Sequence, residues 1–192
     1  MRCLGIDCGT VYTGYGVVDL LFDGEVEARS RGLQNRASFN TRPLVCVACG
    51  AIKVPPREPM AVRLSRIARG LEEVIARHQP DRVAIEDVFY AVNVKSALKL
   101  GQVRGVAMLA AATAGLEVAE YSPLSIKSAV VGYGKAEKHQ VQQMVARLLN
   151  LDEIPEPADA ADALAIAICH LHTAATLQIQ GMPTPAARRA RR

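Results

Sequence analysis

Cys3-Leu4-Gly5-Ile6-Asp7-Cys8-Gly9-Thr10 is an apolar run that stops on an acid and a glycine turn. Such a run reads as a buried strand whose last side chain is a carboxylate. Gly14-Tyr15-Gly16-Val17-Val18-Asp19-Leu20-Leu21 follows almost at once. Two strands this close, over 3–8 and 14–21, form an antiparallel hairpin around the turn at Gly9–Gly14. Residues 44–54 make a third strand, ended by Pro55-Pro56. Between them Phe22 to Pro43 is polar and carries Arg29, Arg31, Arg36 and Arg42. It reads as an extended hairpin end or mobile loop.

Downstream the period changes. Val62, Leu64, Ile67, Leu71, Val74 and Ile75 recur at helical spacing within Glu58–His78, and Pro80 stops that helix. Arg82-Val83-Ala84-Ile85-Glu86-Asp87 then repeats the opening design, a strand ending in acid. A helix over 93–114, with Gly101 and Gly105 one turn apart, is followed by a strand over 116–121 and a short helix over 123–131. The glycine loop Gly132-Tyr133-Gly134 leads into a helix over 137–150, and Pro155 and Pro157 precede the last helix, 158–178. Three hairpin-type strands followed by alternating helices and strands predict an α/β fold, a mixed five-stranded sheet flanked by helices. That element order resembles ribonuclease H-like nucleases. The sequence reads as one domain over 1–178 with a 22–43 insertion, and a basic, flexible tail over 179–192.

Composition limits the function. The 192 residues fit one domain with a full-sized core. Arg104, Glu117 and Glu120 interrupt the region that reads as most apolar, so no membrane-spanning stretch is expected. No apolar signal region precedes Asp7, and the five cysteines lack a framework spacing, so reduced thiols and a cytoplasmic location are expected. The net charge of +4 is concentrated in Arg188, Arg189, Arg191 and Arg192, which leaves residues 1–187 near neutral. A generally basic body is therefore no argument for a polyanion partner.

The carboxylates are more informative. Asp159 and Asp162, three apart, share one face of the last helix. Alone they could be ordinary first-turn acids that the helix dipole favours. Asp7 or Glu86 alone would be an ordinary strand-end acid. Gathered in one place, the four would repel one another and hold raised pKa values unless cations intervene. Hard divalent ions bind such oxygen ligands, and a pair of ions about 4 Å apart can activate water against a phosphodiester.

Gly5-Ile6-Asp7-Cys8-Gly9-Thr10, Thr13-Gly14-Tyr15-Gly16-Val17-Val18, Ala84-Ile85-Glu86-Asp87-Val88-Phe89, the run Ser96 to Ala107, and Ala158-Asp159-Ala160-Ala161-Asp162-Ala163-Leu164 resemble the RuvC family of bacterial Holliday-junction resolvases. The resemblance runs in order from residue 3 to about residue 172. It implies a ribonuclease H-like fold, a homodimer and Mg²⁺-dependent paired nicking of opposed strands in a four-way junction, with Mn²⁺ as a substitute. The products would carry 5′-phosphate and 3′-hydroxyl ends. It also implies handover from a RuvA–RuvB branch-migration complex. The family's catalytic, metal-holding acids fall on Asp7, Glu86, Asp159 and Asp162. Its DNA-contacting residues fall on Phe89, a wedge or stacking platform, and on Lys127 and Lys138, which face phosphate. The stretch 22–43 looks longer than in typical members.

Other readings carry less. Lys95, Lys99 and Arg104 are further candidates for backbone contact. Cys46 and Cys49 lie on a strand that would point their thiols to opposite faces, against a zinc site. His170 lies about 12 Å along the helix from Asp162, too far to share an ion, and reads as structural with His172. Three rival functions remain. An ATP-binding protein of the actin and sugar-kinase type would need a second lobe. A ribonuclease H-like nuclease with another substrate, or a junction binder without catalysis, would differ in substrate choice or metal dependence.

Overall fold

Alternation along the first strand sorts its side chains: Leu4 and Ile6 go to one face of the sheet, Cys3, Gly5 and Asp7 to the other. The structure, a computed structural model, describes residues 1–21, 44–87 and 94–179. Five strands form its sheet: β1 (Arg2–Asp7), β2 (Tyr12–Leu20), β3 (Leu44–Lys53), β4 (Arg82–Glu86) and β5 (Glu117–Tyr121). Their spatial order is β3-β2-β1-β4-β5, with β2 antiparallel to β1 and β3, and β4 parallel to β1 and β5. The helices are α1 (Met60–His78), α2 (Val94–Thr113), α3 (Pro123–Val131), α4 (Lys138–Leu148) and α5 (Ala158–Ile179). The mixed five-stranded sheet and its flanking helices are as the periodicities predict, with boundaries within about two residues. The insertion 22–43, Phe89 and the tail beyond 179 lie outside the described residues.

Each face of the sheet has its own core. Leu4, Ile6, Val17, Val83 and Ile85 pack with Ile67 and Leu71 of α1 and Val103 and Ala107 of α2. Cys3, Val18, Ala84 and Ala119 pack with α3, α4 and the buried flank of α5. Between Ala160 and Leu171, only Asp162 on α5 is not buried. This corrects the expectation that no segment is apolar and long enough to span a membrane: Ala158–Leu177 has that length and composition, with 67% of the span-length window buried. Its apolarity serves burial between sheet and helices.

Glycine decides how closely α5 docks. A Cβ on Gly5 would stand 2.1 Å from the Ala163 carbonyl oxygen, and one on Gly14 would stand 2.0 Å from that of Asp159. Gly16 is similarly close to Leu164. No other residue fits these three points on β1 and β2, so the helix backbone rests directly on the sheet.

A β-bulge changes a second expectation. Val18 pairs with Cys46 and Val17 with Ala48, leaving Val47 as the extra residue of β3. One extra residue reverses the alternation beyond it. Cys46 and Cys49 therefore share the α5 face, rather than pointing to opposite faces, and their thiols hydrogen-bond to each other.

Candidate active site

β1 and β4 end side by side. Ile6 pairs with Ile85, so Asp7 and Glu86 continue one step past the paired register at the same edge of the sheet. Both alternate onto the α5 face, because Gly5 and Ala84 precede them by two. The glycine-floored docking of α5 brings Asp162 over this edge. Asp7, Glu86 and Asp162 line one cleft of about 230 Å³ with Lys127 of α3 and Lys138 of α4, over an apolar floor that includes Ile126, Val141 and Ile166. Asp159 is not a lining residue; it stands at the rim, where its Oδ1 would lie 3.7 Å from a Cβ on Gly9. The turn beneath it is locked by Thr13, whose buried hydroxyl donates to the Gly9 carbonyl at 3.0 Å.

Local capping aims the two lysines. Ser122 caps α3, its hydroxyl accepting from the Ser125 N–H at 3.1 Å, with Pro123 at the first helical position. Glu137 and Gln140 form a reciprocal capping box at the start of α4. That box fixes Lys138 at the first position of α4, where its Nζ reaches Asp162 Oδ2 at 2.6 Å.

The acids perturb one another. Burial pushes the Asp7 carboxyl up to about 7, helped by the charges of Asp162, Glu86 and Asp159 and opposed by Lys138. Glu86 is raised by burial and by Asp162, and lowered by Lys127 and Lys138. Hydrogen bonding to Asp162 holds the Lys138 ammonium above its usual range. Among the described residues no three His, Cys, Asp or Glu side chains converge closely enough to grip an ion as they stand. The donor chemistry nevertheless suits a hard divalent cation: oxygen ligands, mostly buried, with more negative charge than the nearby lysines offset.

The structure thus gathers Asp7, Glu86, Asp162, Lys127 and Lys138, and leaves Asp159 at the edge. Lys95 and Lys99 are exposed on α2. Arg104 does not face outward as a backbone contact: it pairs with Asp87 at 3.2 Å and with Glu120. Sequence reasoning missed this clamp across the ends of β4 and β5. The only prior signal was the acidic partners on two adjacent strands, which resembled ordinary solvated charges. His170 is buried against Tyr121, 2.9 Å from its hydroxyl, and burial lowers its pKa to about 4.

A mixed sheet in this order, with acids at the tips of its parallel pair and on the helix packed across it, defines a ribonuclease H-like nuclease. The family model for crossover junction endodeoxyribonuclease RuvC matches residues 36–170. The RuvC of Koribacter versatilis is 60% identical over 177 residues, covering 92% of this chain and 96% of that protein. That of Acidobacterium capsulatum is 56% identical over 180 residues, covering 94% and 98%. The structure of Thermus thermophilus RuvC in complex with Holliday junction substrate superposes with a TM-score of 0.75 at 31% identity, covering 92% of this chain and 96% of that one. The chain belongs to the RuvC family. A divalent-metal requirement accompanies that membership.

Proposed function

We propose that this chain resolves Holliday junctions as a Mg²⁺-dependent endonuclease in DNA recombination and repair, nicking two opposed strands symmetrically. The carrying observation is the cleft in which Asp7, Glu86 and Asp162 meet Lys127 and Lys138, in a chain of this family. Asp7, Glu86, Asp159 and Asp162 would hold the metal, with Mn²⁺ as an accepted substitute. Bound there, Mg²⁺ would supply Lewis acidity toward water and the phosphate.

The protein's own groups do the rest. Lys127 and Lys138 receive phosphate at the mouth of the cleft as ammonium donors. The apolar floor keeps bulk water off the carboxylates and strengthens their electrostatics. Asp159, beside the Gly9 turn at the rim, would add its carboxylate to that set. Phe89, three residues after Glu86 in sequence, serves as the wedge at unstacked bases. In-line attack leaves 5′-phosphate and 3′-hydroxyl ends, which a ligase can seal.

Two strands are cut because two subunits act, each presenting one cleft to the two-fold junction. For the dimer surface we favour α2. It leaves Val94, Leu98 and Leu109 exposed by 74%, 66% and 66%, and Gly101 and Gly105 have open space above them. A RuvA–RuvB complex is the expected upstream partner, and the cytoplasm the expected location. We take residues 1–178 as one nuclease domain because acids from both ends of that span meet in one cleft, with 179–192 as a basic tail.

The test is cleavage of a labelled four-way junction in Mg²⁺, beside linear duplex and RNA–DNA hybrid, with Asp7→Asn as control. Paired, ligatable nicks in the junction alone, lost in Asp7→Asn while metal-free binding persists, are expected. Preferential cutting of the hybrid would overturn the substrate and keep the fold.

A further inference from the structure

Beside the cleft is a feature that the acid and lysine chemistry does not use. Tyr133 and Leu124 are 48% and 63% exposed, although both are large and apolar. They belong to one rim: the loop after α3 folds back so closely that a Cβ on Gly134 would stand 2.6 Å from Leu124 Cγ. The left-handed backbone at Gly132, φ +94°, makes that reversal possible.

An exposed tyrosine ordinarily samples several rotamers. Here the Tyr133 hydroxyl donates to Gln140 Oε1 at 3.0 Å, and the same oxygen accepts the Glu137 N–H at 2.9 Å. The capping box that starts α4 therefore also holds an exposed ring in place. Restraining a ring before contact lowers the entropy cost of binding. Leu124 and Lys127 are three apart on α3, so they are surface neighbours, and Lys127 lines the acidic cleft.

We propose that Tyr133 and Leu124 form a stacking platform for the nucleotide adjacent to the scissile phosphate, on the α3–α4 side of the cleft. This rests on the junction-cutting reading above and extends it to a residue-level contact. Charge selects the occupant. Lys127 and Lys138 line the adjoining cleft, exposed Lys135 follows Tyr133 by two residues, and the acid of that loop, Glu137, is engaged in its cap. An apolar ring among ammonium groups suits a base or sugar on a phosphate chain better than an apolar protein surface. Every base offers a π-face, so the contact adds affinity with little sequence readout.

The experiment uses full-length protein in metal-free buffer and junctions carrying 2-aminopurine at single positions flanking the cut. Wild type should change the emission at one flanking position. Tyr133→Ala should abolish that change and weaken junction binding roughly tenfold, within the range measured for one stacked base. Tyr133→Phe keeps the ring and should rescue both signals to within about twofold. Leu124→Asp, at an exposed position, should weaken binding similarly by repelling phosphate. Unchanged emission and affinity in Tyr133→Ala and Leu124→Asp, with wild type still cutting junctions, would overturn the platform alone. Wild type that neither binds nor cuts junctions would overturn the functional reading and the platform with it.

Discussion

The ammonium of Lys138 lies 2.6 Å from the carboxylate of Asp162, so a protein cation occupies the mouth of the acid cluster. Two charges that a phosphodiester and a metal would each need are thus committed to one another. Removing Lys138 should have opposite effects on two ligands. Lys138→Ala should tighten Mn²⁺ binding to the free protein by roughly two- to fivefold, since an exposed pair is worth under about 1 kcal/mol. The same variant should weaken junction binding. Calorimetric titration of metal and of junction separates the two effects; weaker metal binding would mean that Lys138 helps to organise the acids.

Asp7 carries a pH signature. Its folded pKa of about 7 lies well above the 3.8 of an ordinary aspartate. The folded state therefore binds the extra proton, and the stability from this group is complete below about pH 4 and lost as pH rises toward 7. In chelator, the wild type should lose stability across that window. Asp7→Asn should flatten the loss and unfold later at pH 8, by roughly 1–3 kcal/mol given partial relaxation of the site. Urea midpoints at pH 5 and pH 8 measure both; parallel curves for the two proteins would refute the shift.

Arg104 should matter for stability rather than for DNA. Its guanidinium joins Asp87 and Glu120, and the Asp87 N–H donates to the Tyr121 carbonyl at 2.7 Å, so the clamp ties together the ends of β4 and β5. Arg104→Leu leaves two acids facing each other and should cost roughly 2–4 kcal/mol. Metal-free junction affinity, measured under folding conditions, should stay within about threefold, well short of the loss expected for a lost phosphate contact. An intact unfolding midpoint with collapsed affinity would return Arg104 to the DNA surface.

Gly14→Ala tests the docking of α5 without replacing an acid. Its methyl group would have to enter space held by the Asp159 carbonyl. Overpacking of this kind costs roughly 1–3 kcal/mol or more. The displaced helix should also carry Asp159 and Asp162 away from Asp7, so cleavage should fall by more than the loss of folded protein explains. Normal turnover per folded molecule would show that the acids tolerate the shift.

The cysteine pair predicts selective chemistry. A hydrogen bond from Cys46 lowers the Cys49 pKa to about 7, whereas burial raises Cys3, Cys8 and Cys169. Iodoacetamide should therefore modify Cys49 first, with a half-maximal rate near pH 7, and Cys46→Ala should move that midpoint upward. Mass mapping of the first adduct decides it; initial labelling of Cys8 or Cys169 would contradict the shared hydrogen bond.

Much of this architecture is readable along the chain because its causes are local. Runs such as Cys3–Asp7 and Arg82–Glu86 announce strands by composition and announce the site by ending in acid. The spacing of Val62, Ile67, Leu71 and Ile75 gives α1, and Ser122-Pro123 marks the start of α3. The strand-end and first-turn acids are visible in the same way. What the chain does not show is which partners meet. The bulge at Val47 is set by pairing with β2, and it alone puts Cys46 and Cys49 on one face. Whether Arg104 faces solvent or Glu120 depends on the distance between α2 and β5, elements brought together only by the sheet. Gly5, Gly14 and Gly16 read as turn or strand glycines until α5 rests on them. Local sequence determined the strands, helices and acids of this protein, because propensity and period act over a few residues. Tertiary packing decided that three acids and two lysines share a cleft, because close approach and charge pairing act between residues far apart in the chain.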